Sequence, residues 1–458
     1  MPLAIVLSLI LAFSVLAFGA VEAWASASVE VALFALLAWT VWRDREALRP
    51  PVRLFVPSLF VAVLAVVAAV QLVPLPVTWW ARLGDERAVI QREAVEAERL
   101  LRSAPYRTNP MTGETLPEDR EPILTPAPSA SRPASFAPLQ TGRAFVALMA
   151  ALAFLFLLER AASKGREPLR LMALVAGILG LGVGLVALVQ FRPGAAKVLG
   201  LRESAHAGGA FGPFINENNG MGFVNVAFCL LYYLLYRKAK NHGRFSNKMG
   251  LWVLALVLAG FHAALLLMRT SGAGLWTALL LPVAFGLQAL RKRPALLAAA
   301  CLAFAAVVGA GAFVALRHHF TDLHGRLGIW QNALGQDHYF AGNGLGAFAD
   351  RFPSVMTDVP TRSAVLWLYP ENEFFQLFFE AGAAGALLGL LALAFVGILG
   401  YHAILSGGGA FLLVPALWGE ALHAFTDFHF HLWPVVMAYL LLVAVAVRAV
   451  ETRSRRGD

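Results

Sequence analysis

Four polar residues crowd the mouth of one apolar stretch. Tyr369-Pro-Glu-Asn-Glu-Phe-Phe-Gln places Glu371, Asn372, Glu373 and Gln376 ahead of a run that continues through Gly382-Ala-Ala-Gly385. A charged side chain near hydrocarbon costs at least about 2.5 kcal/mol, so carboxylates there mark a candidate site, with paired or solvated helix-end residues as the alternative. Arginines at Arg269, Arg326 and Arg351 fall in segments that the span pattern sends to the same face. His423 and Asp427, four apart in EALHAFTDFHFHLWP, share a helical face. Asn216 and Asn218, in FGPFINENNG, open a further apolar run, where amides suit sugar hydroxyls or a helix cap. Guanidinium groups hold phosphate oxygens in bidentate fashion and stay charged at any working pH, which suits a lipid-linked diphosphate as leaving group. A carboxylate beside them can take the proton of an attacking sugar hydroxyl. Glycosyl transfer from a lipid diphosphate sugar is one reading of this set. A transport path lined by arginines and glutamates is another.

The elements that must position these groups are membrane spans. Of 458 residues, 59% are hydrophobic and 14% charged, and the mean hydropathy is +0.67. Apolar runs begin near Leu3, Val29, Leu54, Ala144, Leu171, Gly220, Leu251, Leu275, Ala295, Ala383, Phe411 and Val435, which predicts an all-α, polytopic membrane protein of about twelve helices in a single integral domain, 1–458. The opening run lacks a basic leader region and reads as a retained span. Cys229 and Cys301 lie inside apolar runs and predict neither a disulfide framework nor a cysteine metal site.

Basic clusters at 43–53, 159–170, 237–248 and 291–293 and in the C-terminal tail fall on one side in alternation, which the positive-inside rule makes cytoplasmic, with both termini there. These loops facing anionic lipid account for the formal charge of +9 without nucleic acid as a partner. Two long loops then share the opposite face. The first, 73–140, carries Trp79-Trp80 and an amphipathic stretch with Leu83, Ile90, Ala94, Ala97 and Leu101 at helical spacing, an interfacial helix followed by a Pro/Ser-rich strap. The second, 317–370, carries Arg326, Trp330, the glycine-rich FAGNGLGAF and Arg351. Without a preceding strand, GNGLGAF reads as a turn between short helices rather than a nucleotide loop. Glu380 and Glu420 lie deeper in spans and read as structural pairs, with each other or with nearby amides. His318, His319 and His324 read as solvent- or headgroup-facing, so no metal and no cofactor are expected.

Most of the chain resembles the bacterial O-antigen ligase and polymerase superfamily of integral membrane glycosyltransferases. LAFGAVEAWA (16–25), QLVPLP (71–76) and RPASFAPLQT (132–141) are similar to its recurrent early segments, and GAFGPFINENNGMGF (209–223) to its opening of a middle helix. Arg269-Thr-Ser-Gly272 resembles its "SRG" element, and Arg326 with Trp330 and then GNGLGAF its "RxxxWxxA…GxGxGxF" segment. Glu371-Asn372, nine residues and Gly382-Ala-Ala-Gly385 reproduce the spacing of its "HN-x9-GxxG" motif, and HAFTDF (423–428) resembles "HSxxDF". The chain departs from the pattern at Glu371, where the family has histidine, and at Asn219, where "NxNH" has another.

The resemblance implies a C-type glycosyltransferase architecture in the bacterial inner membrane, with the active site facing the periplasm between two periplasmic loops. It implies an undecaprenyl-diphosphate-linked glycan donor, inversion at the transferred sugar and no metal. Arg269 and Arg326 would hold the diphosphate, Glu371 would activate the acceptor hydroxyl, and Asn372, Asn216, Asn218, Gln376, Arg351, His423 and Asp427 would bind or support the substrates. Lipopolysaccharide biosynthesis by a ligase, with lipid A core or another glycan as acceptor, stands first and a polymerase second. A flippase or transporter ranks lower because the two halves show no internal repeat.

Overall fold

The computed structural model describes residues 1–44, 53–76, 79, 131–190, 197–203, 210–241, 245–268, 272–317, 321–334, 341–354 and 368–454. These residues are mostly helical. In chain order the helices are α1 (Pro2–Leu16), α2 (Ala23–Arg43), α3 (Phe55–Leu72), α4 (Pro138–Ser163), α5 (Glu167–Gln190), α6 (Glu217–Asn241), α7 (Phe245–Met268), α8 (Gly272–Ala289), α9 (Pro294–Arg317), α10 (Thr321–Leu334), α11 (Phe348–Arg351), α12 (Glu373–Ser406), α13 (Val414–His423) and α14 (Trp433–Ser454). Eight of them, α2 to α7, α12 and α14, are long and apolar enough to cross a membrane. Shorter apolar helices lie at Pro2–Leu16, Trp276–Ala289, Pro294–Phe304 and Ala410–His423.

The interior belongs to α6 and α14, which bury 72% and 67% of their spanning windows, against 17% for α7. Outward faces carry Leu9, Val31, Trp42, Val66, Leu256, Leu267 and Leu390 in the open, an apolar surface that suits lipid and not water. Ion pairs gather the helix ends that carry the basic clusters. Arg160 pairs with Asp44, and Arg53 reaches Glu159 at 3.6 Å and Glu451 at 3.1 Å, so the ends of α2, α4 and α14 and the start of α3 meet. Toward the opposite end, Trp433 Nε1 donates to Ser26 Oγ at 3.1 Å, tying the start of α14 to α2.

The segments QLVPLP and SRPASFAP, which flank the first long loop, pair with each other. Strands β1 (Pro74–Pro76) and β2 (Ser131–Pro133) run antiparallel, with Leu75 opposite Arg132. Prolines in both strands remove donors and keep the ladder short. A second small ladder joins β3 (Lys197–Val198) to β4 (Arg202–Glu203). The interfacial helix expected around Leu83 to Leu101 and the first part of its strap, 124–130, lie outside the described residues, as do His318 and His319, while the rest of the strap supplies β2 and the approach to α4.

One helix is interrupted, and the interruption organises the outer end, meaning here the end away from the basic clusters. Within α12, Gly382 takes φ +64°, ψ −146°, a conformation essentially confined to glycine. A break in a helix leaves carbonyls one turn earlier without their N–H donors, and in an apolar medium those carbonyls must find others. The loop 341–347 supplies them. Asn343 donates to the Phe379 carbonyl from its backbone N–H at 3.0 Å and from Nδ2 at 2.9 Å, and Gly344 N–H donates to the Glu380 carbonyl at 2.9 Å. Gln71, on the last turn of α3, adds a second bond to Glu380 O at 2.9 Å, and its own Oε1 accepts from Leu345 N–H at 2.9 Å.

The alternate glycines Gly342, Gly344 and Gly346 all hold positive φ, which turns successive N–H groups toward the break. Space is equally tight. A Cβ on Gly344 would stand 2.2 Å from Ser135 Oγ, whose hydroxyl shares a 2.6 Å hydrogen bond with Thr141. The turn expected of GNGLGAF is therefore a clasp that joins α3, α4 and α12.

Gly382→Ala should lose about 1–3 kcal/mol through backbone strain alone. Thermal unfolding in detergent reads this as a lowered Tm, and an unchanged Tm would mean that the helix heals straight and the clasp does not depend on the break.

Candidate functional site

At the outer lip of α12 the chain is strained. Glu371 sits in the left-handed region at φ +57°, which a non-glycine residue occupies only when its surroundings over-determine it. Those surroundings are specific. Asn372, the N-cap, accepts from Phe375 N–H through Oδ1 at 2.9 Å, and Trp330 of α10 donates from Nε1 to Pro370 O at 2.7 Å while stacking on Phe375 at 6.0 Å. The same helix α10 carries Arg326, and its Nη2 stands 3.4 Å from Glu371 Oε2. With side chains 24% and 22% exposed, this pair lies within reach of solutes. The sequence motif with Arg326 and Trp330 four apart thus delivers its tryptophan as an anchor and its arginine to the carboxylate.

Behind the lip runs a continuous polar network. Glu373 accepts from Phe430 N–H at 2.8 Å and faces His431 Nε2 at 3.3 Å, while its backbone N–H donates to Ala424 O at 2.8 Å. Burial alone would strip the His431 proton, but Glu373 and then Glu380 more than offset this and raise its pKa above the usual histidine value. Its Nε2 also stands 3.2 Å from Gln376 Oε1, and Gln376 Nε2 in turn donates to Glu380 Oε1 at 2.9 Å. The Glu380 carboxylate takes two further bonds, from Gly346 N–H at 2.8 Å and Phe348 N–H at 3.2 Å. The glycine-rich loop therefore cradles an anion after all, and the anion is a side chain of α12. Tyr369 stacks on Phe428 at 4.4 Å and on His431 at 4.6 Å. Its phenol, pushed up to about 12 by burial and by Glu373 and Glu380, stays neutral.

The remaining expected residues fall into other places. Gln376 is buried within the network rather than at its rim. Arg351 is also buried, with its guanidinium 4.7 Å over the Phe136 ring. Asn216 caps α6, its Oδ1 accepting from Asn218 N–H at 2.8 Å, so the capping alternative accounts for the Asn216 amide. His423 is the last residue of α13 and Asp427 lies past the turn that follows, so they share no helical face, yet they meet, Nε2 to Oδ2 at 3.3 Å, in a fully buried cluster with Glu420 and His429. Glu380 and Glu420 do not pair with each other. Glu380 goes to the clasp, and Glu420 accepts from Asn225 Nδ2 at 3.4 Å. Arg269 lies outside the described residues.

Sequence reasoning missed Gln71, His429 and His431 as parts of the outer end. Gln71 had a signal, the recurrent QLVPLP segment, and HFH stood inside a quoted motif without a role. Comparison with known protein families found no family model that matches the chain, and no curated protein matches it either.

The arrangement offers one accessible arginine–carboxylate pair on a strained, well-buttressed support, and a partly exposed pair of this kind is worth only about 0–1 kcal/mol. Glu371→Gly relieves the backbone strain while removing that pair. It should unfold in detergent at a Tm no lower than that of the native chain. A loss beyond about 1 kcal/mol would mark Glu371 as a structural anchor.

Proposed function

We propose that this chain is a glycosyltransferase of the bacterial inner membrane that moves a glycan from an undecaprenyl-diphosphate carrier to an acceptor hydroxyl on the periplasmic side. The observation that carries the reading is the accessible Arg326–Glu371 pair at the mouth of the interrupted helix. Arg326 falls in a motif through which the sequence resembles the O-antigen ligase and polymerase superfamily, and Glu371 stands where that family's "HN-x9-GxxG" motif has its histidine. In this reading the chain makes about twelve crossings, with both termini cytoplasmic and the two long loops periplasmic.

The chemistry assigned to the pair is an in-line displacement. Glu371 takes the proton of the acceptor hydroxyl, the freed oxygen attacks the anomeric carbon, and the bond to the diphosphate oxygen breaks with inversion. The departing diphosphate carries the charge to Arg326 and Arg269. No metal is required, because fixed guanidinium groups supply the positive charge. The weakness of the surface pair is an asset here, since an arriving diphosphate can displace the carboxylate from Arg326 at little cost and leave it free as a base. Asn372 and Gln376 hold the lip in place. His423 and Asp427 support the turn that carries Phe430 and His431.

Ligation to lipid A core or another glycan is the first reading. Polymerisation is the second, favoured by Glu371 and Asn219 standing where the family pattern has histidines.

Three measurements test this. The surface glycan profile of cells lacking the protein should show long chains stranded on carrier lipid for a ligase, or single repeat units for a polymerase. A normal profile rejects both. Arg326→Lys should lose about tenfold to hundredfold in transfer, because a lysine keeps the charge but not the bidentate geometry, and near-normal turnover removes Arg326 from the diphosphate site. Glu371→Gln should keep donor binding while transfer falls at least about a hundredfold. Full rescue by this variant moves the base elsewhere.

A further inference from the structure

A second polar cluster lies between the end of α13 and the turn that precedes α14, and its composition is unusual for the interior of an apolar bundle. Glu420, His423, Asp427 and His429 are each at most 1% exposed. Two carboxylates and two imidazoles meet there. The rings of His423 and His429 stack at 4.6 Å, and Glu420 Oε2 stands 3.4 Å from His429 Nε2 and 3.8 Å from His423 Nδ1. These approaches lack the alignment of hydrogen bonds. Glu420 Oε2, His423 Nδ1, Asp427 Oδ2 and both nitrogens of His429 are buried with no hydrogen-bond partner. Each such orphan costs about 1–3 kcal/mol, and buried unpaired carboxylates cost more.

A divalent ion would take up three of these five atoms, Glu420 Oε2, His423 Nδ1 and one nitrogen of His429. We propose that Glu420, His423 and His429 bind a zinc-type transition-metal ion, which clamps the end of α13 to the 429–431 turn. The geometry fits the ion. Bonds of about 2.0–2.1 Å in a tetrahedral site separate neighbouring ligand atoms by about 3.3–3.4 Å. The three ligand atoms already lie within 4.8 Å of one another, two of the separations being 3.4 and 3.8 Å, so the Glu420 contacts need to close by at most a few tenths of an ångström and the two imidazoles by no more than about 1.4 Å to seat the metal. Two imidazoles and one carboxylate are a common ligand set for zinc with one position left to water. The charges also close, with two carboxylates against one dication.

The surroundings are those a metal site needs. A ligating histidine usually directs its other ring nitrogen to a carboxylate. His423, offering Nδ1 to the ion, has Nε2 at 3.3 Å from Asp427 Oδ2, and Asp427 is itself fixed by a bond from Phe428 N–H at 2.7 Å. The second oxygen of Glu420 is held by Asn225 Nδ2, and Asn225 Oδ1 in turn faces His262 Nε2 at 3.0 Å. Only Oε2, the oxygen facing both histidines, is left without a partner. Gly222 on α6 gives that oxygen its room, since a Cβ there would come within 2.8 Å of it. This site is separate from the proposed transfer chemistry, and it acts on the turn that delivers Phe430 N–H and His431 to Glu373.

The test uses the full chain, purified in detergent through a histidine-free affinity tag, loaded with zinc(II), desalted and assayed by elemental analysis. The native chain should retain one equivalent of zinc. Glu420→Gln, which is nearly isosteric, and His429→Ala should both lose it, and Arg326→Lys should keep it. Asp427→Asn should bind zinc about ten- to hundredfold more weakly, since a carboxylate behind a ligating histidine tunes the ion. Loading with cobalt(II) should give the visible absorption of a tetrahedral centre in the native chain and none in Glu420→Gln. Retention well below one equivalent by the native chain overturns the proposal, and so does equal retention by the native chain and Glu420→Gln. If His429→Ala does not fold, Glu420→Gln with a native gel-filtration profile decides alone.

Discussion

The outer end of this molecule is arranged around the carbonyl groups that the break at Gly382 sets free. In water such a break would be satisfied by solvent, but inside a bundle with an apolar exterior the Phe379 and Glu380 carbonyls require donors from the protein itself. Asn343, Gly344 and Gln71 provide them, and each belongs to a segment remote in sequence. Satisfying two carbonyls therefore fixes the 341–347 loop, the last turn of α3 and, through Ser135 and Thr141, the start of α4.

With the loop fixed, the rest of the outer end follows by contact. Gly346 and Phe348 hold the Glu380 carboxylate, Glu380 orients Gln376, Gln376 meets His431, and His431 meets Glu373. The links at Glu380 and Gln376 are hydrogen bonds made away from bulk water, where an unmade bond is expensive, so that part of the chain of contacts resists piecemeal rearrangement. The lip at Glu371 can hold its left-handed backbone because Asn372 and Pro370 on either side are tied down from two directions. Packing alone offers less positional control here, since lipid tails are as apolar as the side chains they contact.

The helices and the outer motifs were legible in the sequence because both are local. Apolar runs of spanning length announce themselves, and Glu371 through Gln376 stand out against hydrocarbon. The span pattern already sent Arg326 and Glu371 to one face, but their direct contact was not legible, since nothing in spacing joins residues 45 apart. Gln71 was not legible as a ligand of Glu380, 309 residues away, because a glutamine at the end of an apolar run has many uses. Glu380 and Glu420 showed the same limit: burial of each was foreseen, but whether each met the other or an amide depended on helix neighbours that periodicity does not encode. The glycine loop gave the opposite lesson. Its spacing does mean an anion cradle, and the missing strand was a sound reason to reject a nucleotide, yet the anion comes from the protein's own chain.

Three carboxylates of α12 and its lip divide their tasks by how firmly each is held. Glu380 is buried and accepts from two backbone N–H groups and an amide, which leaves it no freedom. Glu373, 13% exposed, is bound to Phe430 N–H and faces His431. Glu371 is the most open of the three, on the most strained backbone, and its arginine stands at 3.4 Å, long for a charged hydrogen bond. Of the three, Glu371 is the most open to solutes, and Glu373 and Glu380, more deeply buried and bonded to backbone N–H groups, fix the support on which it stands.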